Sequence, residues 1–422
     1  MADDAPIRFI HAADLHLQSP FVGLRSQLPN AIAREMVEAP FGAWDDIVDL
    51  AIRESVEAVL MAGDAYDDAE RSLRAQHRFV AGLERLDEAG IATHVICGNH
   101  DPLDGWDAGL EFPGGCKRYG PDLESAPLVP GRPDRATVYG VSFLHEHCRR
   151  NLAREFPRIE RGQLAIGLLH CAVGDDPGED GYAPCSLTDL QGNGIAYWAL
   201  GHVHRSRVLL DGNPVAIYAG CPQGLRWSQT GPKGVYLVEI DRAGEVRFDF
   251  VATDRVRMEV LSHDIATAET PAQLLAEVQA AAKATAAETG GRSLLYRVAL
   301  EGRGPLHRHL QSAGAAAELA DELNSRPGDG PFSWCDRVEV ATAAPRDRAR
   351  RRAGGDLIAD LLAVCDQLAA TESGLPRMEA ALDELYGNAE YRPYLAGPGS
   401  WAEDPAGLIE SAENRALDLL EE

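Results

Sequence analysis

The strongest constraint on this chain is a pattern repeated along its first half: a short apolar run that stops abruptly in Asp, Asn or His. The run 91–97 ends in Gly98-Asn99-His100-Asp101, 9–13 ends in Asp14-Leu15-His16, and 58–62 ends in Gly63-Asp64. Likewise 164–169 ends in His170, and 197–200 ends in Gly201-His202-Val203-His204. Short apolar runs bounded by polar turns read as buried strands. Open α/β sheets hold ligands just beyond the carboxyl ends of such strands. One Asp-x-His or Gly-Asp is common by chance, but the ordered set predicts a single shared site.

Between these runs the apolar spacing turns helical, over 44–55 and again over 71–89, the latter closed by Gly90. Strand, helix, strand, helix, strand predicts a layered α/β domain. Asp14 and His16, two apart, are expected on one side of the first strand, and His11, of opposite parity, is expected to pack. Hairpin signals follow at 208–215 and 235–250. From 255 the order becomes strand (255–265), Ala-rich helix (271–289), strand (294–300), helix (306–324), strand (337–342). The expected domains are therefore 1–254 with the site, a small α/β capping domain over 255–345, and a helical region over 346–422. In the last, apolar stripes at 357–368 and 408–420 flank a Pro/Gly-rich connection. His145, His147, His307 and His309 lie at none of the strand ends above and are expected outside the site.

A net charge of −26 opposes any partner whose affinity comes from phosphate neutralisation, so a polyanion must meet local cations. Candidates are Arg149, Arg150, Arg154, Arg158 and Arg161, and the run 346–352. The eight cysteines lack CxxC spacing and read as reduced thiols, neither a disulfide framework nor a zinc site. No apolar run approaches the roughly 18 residues of a membrane span, and the acidic start is no signal peptide, so a cytoplasmic protein is expected. The acids of 174–181 lack EF-hand spacing and predict only a loop beside the site.

The residue types suggest two metals. Asp14, His16, Asp64 and His204 would make one set of donors, and Asp64, Asn99, His170 and His202 the other, with Asp64 shared. A bridging carboxylate holds two divalent ions about 3.5–4 Å apart, the spacing used to hydrolyse phosphoesters. Imidazole and oxygen donors without thiolate favour manganese, with iron, zinc or magnesium as alternatives. The cations would lower the pKa of a bridging water and give a nucleophile aimed at phosphorus. His100 is the expected acid at the leaving oxygen, and Asp101 is expected to hold its other ring nitrogen.

These motifs, over residues 7 to about 222, resemble the calcineurin-like metallophosphoesterases. The resemblance implies a two-sheet α/β/β/α sandwich with a dinuclear centre at its strand ends. The opening 9–21 and the stretch Gln223-Gly224 through Gly231-Pro232-Lys233-Gly234 are similar to bacterial DNA-repair exonucleases of the SbcD and YhaO type. That similarity implies DNA as substrate, a homodimer, a cap that presents DNA, and terminal helices docked on an SMC-like coiled-coil ATPase. Asp67 stands where archaeal and eukaryotic relatives carry a second active-site His, and Leu225-Arg226 replaces an expected Arg-His. A phosphodiesterase or phosphatase for a small phosphoester is the alternative expectation, since the same metals would serve it.

Overall fold

A computed structural model describes residues 5–23, 28–174, 182–325, 330–345 and 351–370, with 409, 412–417 and 420 near the C-terminus. The acidic loop, most of the arginine run 346–352, the Pro/Gly-rich connection and much of the last predicted helix lie outside these residues.

The strands of the first half form two sheets. β1 (Ile7–Ala12), β2 (Ala58–Ala62), β3 (Ala92–Ile96) and β4 (Cys116–Arg118) run parallel in the first. The second holds β5 (Glu124–Pro127), β6 (Thr137–Gly140), β7 (Ala165–His170), β8 (Tyr197–Gly201), β9 (Arg207–Leu210) and β10 (Val215–Tyr218). The chain then returns to the first sheet as the antiparallel pair β11 (Gly234–Ile240) and β12 (Val246–Ala252). The sheet orders are β12-β11-β1-β2-β3-β4 and β5-β6-β7-β8-β10-β9.

Apolar side chains of both sheets interdigitate between them, among them Phe9, Leu60, Val138, Ile166, Tyr197 and Ile217. Continuous hydrophobic strands are what burial on both faces requires. The outer face of the first sheet is covered by α1 (Asn30–Glu54) and α2 (Leu73–Glu88) through Trp44, Ile47, Phe79 and Leu83. Arg74, Arg78 and Arg85 of α2 lace it to Glu38, Asp45 and Asp49 of α1. The outer face of the second sheet is closed by 3₁₀ turns at Leu152–Glu155 and Leu187–Leu190, which cover Trp198 and Leu200. The molecule is thus a mixed α/β protein built on two six-stranded sheets packed face to face.

A third sheet, β13 (Val256–Asp264), β14 (Ser293–Glu301) and β15 (Ser333–Val340), is parallel throughout. One face is packed by α3 (Pro271–Glu288), α4 (His307–Leu310) and α5 (Ala315–Leu323). Val256, Met258 and Leu295 meet Ile32, Met36 and Ala39 at the start of α1, so residues 1–342 are one compact unit. In the other unit, 343–422, α6 (Leu357–Ala370) is described.

Several local expectations change. The helix expected from 44 begins at Asn30, because Ile32, Met36, Pro40 and Phe41 are buried and override the breaker signal of Pro40 and Gly42. The single helix expected over 306–324 is two, broken where Gly314 adopts φ +91°. The first strand stops at Ala12, because Asp14 turns left-handed.

Candidate metal centre

β1, β2 and β3 end side by side in one sheet, and β7 and β8 end side by side in the other. Every predicted donor follows one of these ends, so the two sheets deliver them to one place. The geometry is not the strand alternation expected for Asp14 and His16. Asp14, His16, Asp64 and His202 all have positive φ, 52°, 44°, 55° and 103°. Such backbone costs about 1–3 kcal/mol per residue and persists only where its surroundings hold it. Here Asp14 N–H donates to Gly63 O at 3.0 Å and His16 N–H to Asp64 O at 3.1 Å, tying the two turns together. Gly98 allows the third turn to close in: a Cβ there would strike the Asp64 carboxylate and the His170 ring.

The side chains converge. Asp14, His16 and His204 offer donor atoms within 4.8 Å of one another, as do Asp14, Asp64 and His170. His16 Nε2 lies 2.9 Å from His204 Nε2, and Asp64 Oδ2 lies 3.8 Å from His16 Nε2 and 3.4 Å from His170 Nε2. Asn99 Oδ1 sits 3.0 Å from His170 Nε2 and 3.1 Å from His202 Nδ1. The two facing Nε2 atoms fit a shared cation, whose neighbouring ligands stand on the order of 3 Å apart when each bond is ~2.1 Å. The residues present fit a pair of divalent ions, with Asp14 reaching both groups rather than one.

Electrostatics favour the neutral form at three of the four candidate histidine ligands. Burial lowers His16 to about 4, His202 to about 3 and His204 well below the ordinary range. Burial would also raise Asp64, but the charge and hydrogen bond of His170, and then His16, hold it well below the usual carboxylate range. His170 rises to about 9, because Asp64 and Asp14 outweigh the burial that would neutralise it. Burial pushes Asp14 up to about 7 against the pull of His170.

His100 stands at the edge of this group, its side chain 36% exposed and its ring 4.8 Å from that of His16. Its backbone N–H donates to Asp64 Oδ1 at 2.9 Å. The partner expected for its ring, Asp101, is corrected. Asp101 is buried, and its oxygens accept from the N–H groups of Asp64, Ala65 and Gly98 at 3.1, 2.8 and 2.6 Å. It staples the β2 and β3 turns and reaches no imidazole. The ring of His100 faces Asp67 instead, Nδ1 to Oδ1 3.5 Å. Burial would lower the His100 pKa, yet Asp67 and Asp64 raise it.

Other residues were missed in the sequence. Gln229 places its carboxamide nitrogen 2.5 Å from His204 Nδ1 while its oxygen accepts from Leu225 N–H, so it fixes that ring. Tyr182 meets the His202 ring edge-on at 5.4 Å. Neither bears a motif; the spacing of Asp67, three beyond Asp64, was the one usable signal. His11 packs as expected, bonded to Tyr197 Oη at 2.9 Å and Leu200 O at 3.2 Å. His145 faces Asp104 and His307 bonds Thr342, both away from the donors, while His147 lies 5.5 Å from Tyr182.

Residues 7–206 match the calcineurin-like phosphoesterase family, and residues 259–343 match the middle domain of metallophosphoesterase YhaO. The chain belongs to the calcineurin-like metallophosphoesterases of the SbcD and YhaO type. It is 35% identical over 339 residues to a Bacillus subtilis (strain 168) protein named uncharacterized metallophosphoesterase YhaO, covering 80% of this chain and 82% of that one. It is 29% identical to the DNA double-strand break repair protein Mre11 of Sulfurisphaera tokodaii, over 50% of this chain and 54% of the relative. Against the SbcD component of the nuclease SbcCD of B. subtilis it is 25% identical, over 55% of this chain and 66% of the relative.

Proposed function

We propose that this protein is a two-metal phosphodiester hydrolase that cuts DNA as an exonuclease, with manganese as its working metal. The observation that carries this is the convergence of Asp14, Asp64, His16, His170 and His204 on two overlapping donor groups in a chain of this family. Asn99 and His202 complete the ligand set, as the contacts of Asn99 Oδ1 with the rings of His170 and His202 support. A bound metal pair lowers the pKa of water and neutralises phosphate oxygens. The chain's own residues do the rest. His100, whose pKa Asp67 and Asp64 raise against the effect of burial, lines the cavity and donates a proton to the leaving oxygen. Asp67 holds its Nδ1, so that Nε2 is the nitrogen left for the substrate.

The relatives named for nuclease and repair activity support DNA as the substrate, and the name of a nuclease subunit supports a partner subunit, which we take to be an SMC-like ATPase joined to two copies of this chain. Residues 255–345 act as the cap and 346–422 as the docking region in this reading. The test is digestion of linear DNA by protein loaded with manganese, which EDTA should abolish. Turnover of bis-p-nitrophenyl phosphate or a cyclic nucleotide with DNA left intact would instead assign a small phosphoester. No described helix is long and apolar enough to cross a membrane.

A further inference from the structure

The cavity over the metal-binding groups, about 420 Å³, is lined by Asn99, His100, His202 and His204 and opens past three cations, Arg205, Arg226 and Lys233, against one carboxylate, Glu146. In a chain of net charge −26 this is a local inversion of sign. Of the basic run expected to meet polyanions, Arg150 is neutralised by Glu155 and Arg154 by Asp189, each at 2.7 Å. Arg205 and Arg226 are exposed and have no carboxylate partner among the described residues.

Both are carried on braced backbone. Arg205 directly follows the His202-Val203-His204 turn. Arg226 lies in a loop bridged to Val22, closed by Leu225 N–H on Gln229 Oε1, and joined through Gln229 to the His204 ring. The next residue, Trp227, lies under the guanidinium of Arg297 on β14 at 4.1 Å, and Arg297 also donates to Gly23 O. Arg226 is close enough for its charge to act on His204. A pair of unpaired guanidiniums on braced loops, both lining the mouth of the cavity, suits a ligand carrying anionic groups beyond the one at the metals.

We propose that Arg205 and Arg226 grip the phosphates flanking the scissile one, and so select an extended phosphodiester strand over a small phosphoester. This rests on the phosphodiesterase reading above. The third sheet then bears on specificity through Arg297 and Trp227, which fix the Arg226 loop.

The test compares wild type, Arg205→Ala, Arg226→Ala and the double variant, all loaded with manganese, on a single-stranded oligonucleotide and on bis-p-nitrophenyl phosphate. Oligonucleotide affinity is read separately by fluorescence anisotropy in EDTA. Each alanine should weaken binding on the order of tenfold. Above roughly 0.1 M salt it should also flatten the log–log salt dependence by about 0.7 per lost contact. The ratio of kcat/KM between the two substrates should fall with it, and Arg→Lys at both sites should restore the salt slope. Equal losses on both substrates would overturn the assignment, because the arginines would then serve the scissile phosphate itself. Wild type that turns over bis-p-nitrophenyl phosphate but neither binds nor cuts the oligonucleotide overturns this inference together with the choice of DNA, and leaves the two-metal hydrolase standing; variants that bind and cut the oligonucleotide as wild type does overturn this inference alone, and inert, metal-loaded wild type overturns the hydrolase reading.

Discussion

At the scale of single residues, the site is a set of competing proton and cation demands. His170 and Asp64 hold each other charged, and His170 must lose its proton to donate to a cation. Metal affinity should therefore climb with pH up to about 9, by as much as tenfold per unit. Isothermal titration in buffers of different ionisation enthalpy should detect release of at least about one proton at neutral pH. His100→Ala should lower kcat by about 10²–10⁴ while metal content by atomic absorption stays near wild type. Asp64→Ala should lose both metal and turnover, and metal retained in that variant would contradict its place among the ligands. The donors themselves were legible, because each follows an apolar run directly. Their mates were not. Asp101 adjoins His100 in sequence, yet the turn aims it back at three backbone N–H groups and leaves Asp67 to meet the imidazole.

At the scale of elements, five strand ends could be read from hydrophobicity, since buried strands of a two-sheet core need apolar residues on both faces. The left-handed turns after β1, β2 and β8 could not, because Asp14, Asp64 and His202 carry no glycine signature. Where the sheets pinch together, Gly201 passes so close to the Ala62 carbonyl that a Cβ would collide with it. Gly201→Ala should therefore lower the urea midpoint by the equivalent of about 1–3 kcal/mol, and weaken metal binding by spreading the donors. Two interior histidines away from the metal-binding groups add to acid sensitivity. Burial lowers His11 to about 3 and His94 to about 4, and both are neutral and hydrogen-bonded inside the sheets. The unfolded chain binds the extra protons, so stability is full above about pH 6.5 and falls as pH drops through the window below it. At pH 5 the loss should be about 2 kcal/mol per histidine, measurable as a falling urea midpoint, and His94→Gln should make the slope shallower.

At the scale of the whole molecule, residues 1–342 contain every candidate ligand, both large sheets and the third sheet packed on α1. On the function proposed above, a chain ending near 353 should keep phosphodiester hydrolysis and lose only capture of an ATPase partner, read by turnover and by co-purification. Fold class was legible here because periodicity reports layers. The reach of the third sheet was not, since Ile32 and Met36 precede Pro40 and gave no sign that a helix would carry them to β13 and β14. The sign inversion at the cavity mouth sets two length scales against each other. In roughly 10 mM salt the Debye length is about 30 Å, and an approaching strand feels the repulsion of the entire acidic body; near 0.15 M it shrinks to about 8 Å, and only the guanidiniums at the entrance remain in view. Encounter rates should thus accelerate with the first additions of electrolyte and decline only later, a peaked profile that a uniformly basic nuclease would not display.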